Sequence, residues 1–192
     1  GAPVYGGRLP AEVLRRFRQL KAAGALAVPI VLYGNREFDD ALMELKLLCE
    51  ELGFQPVAGA AFIGEHSFST NEIPIAEGRP DTQDIKVAQE FGQKIKAKIE
   101  GIQSMDTLAD LVVPGAFPYK AEGAKALAVS PLTIEENCTV CGTCASVCPT
   151  SAISVDDSVI TKVEACIRCC ACIKSCPEQA RRFEDSMMDT IS

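Results

Sequence analysis

Several classes of protein are excluded by what this sequence has little of. Basic residues are outnumbered by acidic ones, 19 to 26, and the net charge is −7. Such a balance argues against a nucleic-acid-binding protein, because phosphates are neutralised by clustered lysine and arginine. The longest apolar run, residues 22–33, is broken by Gly24 and Pro29. It is shorter than the about 18 residues that indicate a membrane span, so we expect none.

The start of the chain also lacks two expected features. It does not begin with methionine, and no basic segment followed by an apolar core marks a signal peptide. Residues 1–8 resemble the interior of a domain instead, so we expect the sequence to be truncated at its N-terminus. A protein without a signal peptide is expected to be cytoplasmic.

The first 100 residues alternate between helical and strand patterns. Apolar residues at helical spacing predict helices over residues 9–21, from Asp39 or Asp40 to Gly53, and from Asp81 to about residue 99. Apolar runs at residues 26–34 and 56–64 predict two buried strands, the first of them pairing from Ile30, because Pro29 cannot donate a hydrogen bond. Such an alternation is typical of a parallel α/β sheet with flanking helices. Two strands are too few for a stable sheet, so the sheet is expected to be incomplete.

Cysteine is almost absent from the first 137 residues, where only Cys49 occurs, and abundant afterwards. A run of Cys-x2-Cys-x2-Cys-x3-Cys-Pro starts at Cys138 and recurs 28 residues later from Cys166. Structural zinc sites take two cysteine pairs or a Cys/His mixture, and small secreted domains form disulfides; neither is typical of two quartets that each end in Cys-Pro. The residues between the quartets predict a hairpin, with strands at residues 152–155 and 159–161.

The repeated run resembles that of bacterial 2[4Fe–4S] ferredoxins, in which the fourth cysteine of each run binds the other cluster. The resemblance covers the last 60 or so residues and implies a small two-cluster ferredoxin-like domain of α+β class. It implies that the first cluster is held by Cys138, Cys141, Cys144 and Cys176, and the second by Cys166, Cys169, Cys172 and Cys148.

Four other residues receive structural interpretations. Cys170 takes the position of Gly142 in the repeat and is expected to be a small buried residue. Cys49 follows Leu48 on an apolar helix stripe and is expected to be a core or half-buried thiol. His66 is interpreted as a solvated loop residue, and Arg181 as part of a solvated C-terminal segment together with the arginine that follows it.

Two loops of the first part resemble the flavin-contacting loops of flavodoxins. Residues 3–8 are similar to the loop after the third flavodoxin strand, and residues 33–40 to the loop after the fourth. The resemblance implies contacts to FMN from six residues: Tyr5, Gly6, Gly7, Gly34, Asn35 and Phe38. The phosphate-binding segment T-x-T-G-N-T of flavodoxins is missing, so we expect this chain to bind FMN weakly or not at all.

Together the two parts resemble the flavodoxin–ferredoxin fusion family of anaerobic bacteria and archaea. This implies a C-terminal flavodoxin part at residues 1–102, a linker at 103–131, a ferredoxin domain at 132–184 and a tail at 185–192. The expected function is electron transfer by two [4Fe–4S] clusters, which in the complete protein exchange single electrons with FMN and with a redox partner protein. The alternative is an enzyme, an iron–sulfur flavoprotein oxidoreductase that reduces a small substrate.

Overall fold

The computed structural model describes residues 1–104, 108–123 and 129–184. The chain divides into two compact units, the first of residues 1–69 and 74–125 and the second of residues 70–73 and 126–192. The predicted tail at 185–192 lies outside the described residues, as do parts of the predicted linker. None of the helices in the described ranges combines the length and the apolar composition that crossing a bilayer requires.

The first unit has α/β character and is built around a parallel sheet. Three strands pair in the order β1-β3-β5, and a separate parallel pair is formed by β2 and β4. The elements in chain order are β1 (Ala2–Pro3), α1 (Ala11–Phe17), β2 (Leu26–Ala27), β3 (Ile30–Tyr33), α2 (Ala41–Glu51), β4 (Gln55–Pro56), β5 (Ala60–Ile63) and α3 (Thr82–Glu100).

Each of the two strands predicted for the first unit is divided into two short strands. The prediction at residues 26–34 corresponds to β2 and β3, and the prediction at residues 56–64 corresponds to β4 and β5. The chain breaks at Pro29, as its missing N–H requires, and the residues before it pair with β4 while Ile30 starts β3. Strand β1 is not predicted from the sequence, because two residues are too few to show the alternation of apolar and polar side chains that marks a strand. The mixed architecture agrees with the predicted α/β class, and the flavodoxin fold itself stays a resemblance.

The core of this unit lies between the sheet and α2. Val31 on the central strand is fully buried, and Leu42, Leu45 and Leu48 of α2 are each less than 5% exposed. These leucines belong to the apolar stripe that the sequence predicts for this helix, and Cys49 packs at its margin as a partly buried thiol. Burial raises the pKa of the Cys49 thiol, which is expected of a structural cysteine.

Helix α3 begins as predicted but packs less than predicted. Asp81 and Asp84 form a reciprocal capping box, in which each side chain accepts from the other residue's backbone N–H at 2.9 Å. The apolar face of α3 is only partly covered, since Ile85 is 47% and Ile99 39% exposed. The helix packs against the edge strand β5, where the Phe91 ring meets that of Phe62 at 5.7 Å, and a single edge strand covers only part of a helix face.

Asp40 fixes a distant segment of the chain to the first unit. Its buried carboxylate accepts hydrogen bonds from the backbone N–H groups of Ala116, Lys120 and Ala121 at 2.6–2.7 Å. The bond from Ala121, helped by the other two and opposed by burial, holds the pKa of Asp40 below its usual range. Residues 116–121 of the predicted linker are therefore bound through a carboxylate to the rest of the first unit.

A second contact holds the same segment. Arg8 makes two hydrogen bonds to the Glu44 carboxylate, at 2.7 and 2.8 Å, and its guanidinium lies 3.7 Å from the centre of the Tyr119 ring. Glu44 is buried and also accepts from the Leu9 backbone N–H at 2.8 Å. The carboxylate of this ion pair is thus buried and accepts three hydrogen bonds, while the Arg8 side chain remains partly exposed.

We predict that Asp40→Asn destabilises the full chain by about 2 kcal/mol, because an amide nitrogen then faces backbone N–H groups that have lost an acceptor. Asp39→Asn, which removes the same charge from an exposed neighbour, is the matched control. The measurement is urea unfolding followed by circular dichroism.

The same pair of variants makes a pH prediction. A depressed pKa in the folded state means that the stabilisation is present above the ordinary aspartate pKa of about 3.9 and is lost as the pH falls through the folded-state value. The difference in the free energy of unfolding between wild type and Asp40→Asn should therefore become smaller below about pH 4. A difference that stays constant from pH 7 to pH 3 would contradict a lowered pKa for Asp40.

The second unit is built from two copies of one backbone pattern. The predicted hairpin is present as β7 (Ile153–Val155) paired antiparallel with β8 (Val159–Thr161). A second antiparallel pair joins β6 (Leu132–Thr133) to β9 (Arg181–Arg182). Short helices complete each copy: a 3-10 turn at Glu135–Asn137 and α4 (Thr143–Ser146), then a 3-10 turn at Val163–Ala165 and α5 (Ala171–Lys174).

Candidate metal centre

The 28-residue spacing of the cysteine runs extends to the backbone. Left-handed residues occur in equivalent pairs: Val140 and Arg168 have φ of 53° and 56°, and Ser151 and Gln179 have φ of 52° and 49°. Between the second and third cysteine of each run, Gly142 and Cys170 take φ of 78° and 60° at the N-cap of α4 and α5. Each run therefore bends in the same way around a concave surface.

Two small cavities lie against these bends. Each is lined by the first three cysteines of one run and by the fourth cysteine of the other run. The first cavity is lined by Cys138, Cys141, Cys144 and Cys176, and the second by Cys166, Cys169, Cys172 and Cys148, with Cys170 as a fifth cysteine. In the described parts of the chain, no three Cys, His, Asp or Glu side chains are placed to hold a single metal ion.

The thiols that line the cavities differ in their surroundings. Burial raises the pKa of Cys144, Cys169 and Cys172. Cys141 is exposed, and a hydrogen bond with the Thr143 hydroxyl lowers its pKa. Buried thiols of raised pKa need a bound cation to become thiolates, since the thiolate is the form that ligates metal.

The fourth cysteine of each run accepts a backbone hydrogen bond. The amide N–H of Ala152 lies 3.2 Å from Cys148 Sγ, and that of Ala180 lies 3.2 Å from Cys176 Sγ. Donors directed at sulfur stabilise negative charge on it, and they are among the features that set the potential of a thiolate-bound cluster.

Residues 131–154 match the 4Fe-4S binding domain family. The matched segment contains the whole first cysteine run and ends within β7. No curated protein matches the chain. The second unit is thus an iron–sulfur domain in at least this segment, which implies electron transfer. Four thiols around one cavity fit a four-iron cluster, because each iron of the cube binds one thiolate and the ligands must surround the cube.

Cys170 is placed as the sequence analysis expected. It is 3% exposed, and its Sγ lies 3.8 Å from the Arg168 carbonyl oxygen. Its left-handed backbone is the conformation of Gly142 in the other run, so the residue follows the bend of the run while its thiol is buried beside the second cavity.

The interpretation of Arg181 as a solvated residue is wrong. Arg181 is 4% exposed and lines the first cavity, whereas the adjacent Arg182 is exposed. Alternation along β9 explains the difference, because successive side chains of a strand point to opposite faces. The repeat itself carried a signal: Arg181 stands five residues after Cys176, where the other run has the buried Ile153 five residues after Cys148.

The six residues predicted to contact FMN follow the carboxyl ends of β1 and β3. Gly6 and Asn35 are exposed and Tyr5 is half-buried. The other three already face side chains of this unit: a Cβ at Gly7 would collide with Asp39 and Ala121, and one at Gly34 with the His66 ring. The Phe38 ring packs edge-on against Tyr33 at 5.3 Å. Packing within this unit thus explains the residue types at Gly7, Gly34 and Phe38 without a bound flavin.

His66 is half-buried, so its interpretation as a solvated residue is also wrong. Its ring stacks on Phe68 at 5.6 Å, and its Nδ1 accepts the Phe68 backbone N–H at 3.2 Å. Burial lowers the pKa of His66, with the Arg36 charge acting in the same direction. The imidazole therefore packs as a neutral ring beside Gly34.

We predict that Cys170→Gly leaves the iron content of the full chain unchanged, because the variant restores the residue that the other run has at this backbone position. Cys169→Ala is the matched variant and should lose iron, because Cys169 is one of the four cysteines implied for the second cluster. Iron per chain after anaerobic reconstitution is the measurement. Loss of iron in Cys170→Gly would make Cys170 a ligand.

Proposed function

We propose that the chain is an electron-transfer protein that carries two [4Fe–4S] clusters, one in each cavity of the second unit. The observation that carries the proposal is the grouping of the cysteines, since each cavity is lined by three cysteines of one run and the fourth of the other. The family match to the first run supports four-iron chemistry there. The equivalent backbone of the second run supports the same chemistry in the second cavity.

The protein's part in this function is ligation, burial and access. Each cluster, when bound, supplies a one-electron couple. Cys144 and Cys172 are buried and would fix the inner side of each cluster, while the exposed Cys141 would bring the first cluster to the surface, where a partner can exchange electrons with it. The amides that donate to Cys148 and Cys176 would stabilise the charge of the thiolates.

The surface charge of the second unit suits a basic redox partner. All seven carboxylate side chains of residues 131–184 are exposed, whereas only three of its five basic side chains are. Each cluster with four thiolates would add about two further negative charges when oxidised. Such a surface steers a basic partner protein by long-range attraction, and thiolate ligation suits the reducing cytoplasm.

The ligand sets are tested with two double variants. Wild type should bind about eight irons after anaerobic reconstitution. Cys141→Ala combined with Cys176→Ala removes two ligands of the first cluster and should leave about four irons. Cys141→Ala combined with Cys148→Ala removes one ligand from each cluster and should lose most of the iron.

The comparison separates two ligand arrangements. If each run held its own cluster, the variant Cys141→Ala/Cys148→Ala would keep more iron than Cys141→Ala/Cys176→Ala. Equal iron in the two double variants would contradict the exchanged ligand sets. About four irons in wild type would contradict a two-cluster protein. Electron paramagnetic resonance after reduction with dithionite identifies the cluster that remains.

For the first unit we propose no more than weak FMN binding by this chain. The sequence lacks the phosphate-binding segment, and Gly7 and Gly34 face Asp39 and His66 of the same unit. Of the predicted set, Gly6 and Asn35 are exposed, Tyr5, Gly34 and Phe38 are half-buried, and Gly7 is buried. An exchange of electrons between FMN and the clusters is thus proposed for a longer protein that supplies the phosphate site.

We predict that titration of the full chain with FMN gives no saturable quenching of flavin fluorescence at micromolar concentrations. Riboflavin, which has the same ring but no phosphate, is the control for non-specific quenching. Saturable one-to-one binding of FMN, with none of riboflavin, would contradict the prediction and reveal a phosphate site that the sequence does not indicate.

A further inference from the structure

Arg181 is a buried cation whose hydrogen-bond partners are both neutral. Its Nη1 donates to Thr133 Oγ1 at 2.6 Å and its Nη2 to Thr161 Oγ1 at 2.8 Å. Its Nε is buried and has no hydrogen-bond partner among the described residues. A guanidinium that is 4% exposed is costly to bury unless a negative charge compensates it.

The two threonines show where this cation lies. Thr133 and Thr161 are 28 residues apart, so they are equivalent positions of the repeat, one on β6 and the other on β8. The first pairs with Arg181 across β6–β9, and the second pairs with Ile153 across β7–β8. One guanidinium therefore bridges the two halves of the repeat.

Both cavities adjoin this bridge. Arg181 lines the first cavity, and its partner Thr161 lines the second. The guanidinium thus borders the first cavity and donates directly to a side chain that borders the second.

We propose that Arg181 is the internal counter-charge of both clusters, so that it favours the more negative, one-electron-reduced form of each. This inference rests on the proposed two-cluster function. The acceptance of one electron makes a cluster more negative by one charge, and a fixed cation in a poorly solvated site stabilises that form more than the oxidised one. Thr133 and Thr161 hold the guanidinium in place, and the compensating anions are the ligated thiolates.

The test compares four variants of the full chain. Arg181→Gln and Arg181→Ile remove the charge, and the second restores the residue type of the equivalent position, Ile153. Arg181→Lys keeps the positive charge but replaces the planar guanidinium group with an ammonium group. Arg182→Gln removes the same charge from the exposed neighbour and is the matched control.

Iron per chain is measured first, and midpoint potentials are then measured by mediated titration followed by electron paramagnetic resonance. We expect both neutral variants to lower the equilibrium constant for reduction of each cluster by tenfold or more, about 59 mV for one electron. Arg181→Lys should keep most of the wild-type potential, and Arg182→Gln should change the constant less than threefold.

Each outcome decides the question. Neutral variants that bind full iron and shift the potential no more than Arg182→Gln would overturn the proposal. If the neutral variants fail to assemble clusters while Arg181→Lys assembles them, the charge is required and the proposal stands. Loss of clusters in all three Arg181 variants would assign the residue a structural role and overturn it. A wild-type chain with about four irons would instead refute the two-cluster function.

Discussion

The second unit depends on an exchange between its two cysteine runs, each of which contributes its fourth cysteine to the cavity of the other. Cys148 lies five residues before the start of β7, and Cys176 lies five residues before the start of β9. The two strand pairs thus position one cysteine for each cavity. Two of the three residues in the buried apolar cluster of this unit, Cys144 and Cys172, are themselves cavity-lining cysteines. Cluster binding and folding are therefore expected to be coupled.

The backbone repeat is nearly exact, but the side chains are not, and the two cavities differ for that reason. In the first run the Cys141 thiol donates to Thr143 Oγ1 at 3.4 Å, whereas Ala171 takes the place of Thr143 in the second run. Arg181 likewise replaces Ile153. Identical ligand sets on equivalent backbones would give two clusters of equal potential. Because the hydrogen bonds and charges near each set differ, the two potentials are expected to be set independently.

Local signals predicted most of what could be recognised from sequence, and long-range packing explains the rest. The capping box at Asp81, the β7–β8 hairpin and the break at Pro29 depend on residues close in sequence, so their patterns could be read directly. The buried carboxylate of Asp40 binds amides 76 to 81 residues away, and no periodicity marks such a contact. The prediction of a solvated His66 is wrong for the same reason, since its ring lies against Gly34 of another loop as well as on the nearby Phe68.

Glycines after strands illustrate how one local signal can have two causes. A glycine there permits close approach of a ligand or of a neighbouring side chain, and the sequence does not distinguish these. Gly7 and Gly34 are both approached by side chains of their own unit. The family resemblance implies a flavin contact at these positions, and that contact stays a prediction beside the observed packing of Asp39 and His66.

The distribution of charge in the second unit separates two tasks. The carboxylates of residues 131–184 are all exposed, where they act on an approaching partner through solvent and are screened by salt. Arg181 is buried beside the first cavity, where screening is weak and a single charge acts strongly on the site. Under the proposed function, a change in the surface charge therefore alters the attraction to a partner with little effect on the clusters. A change at Arg181 would, under the same proposal, alter the clusters and leave the exposed surface as it is.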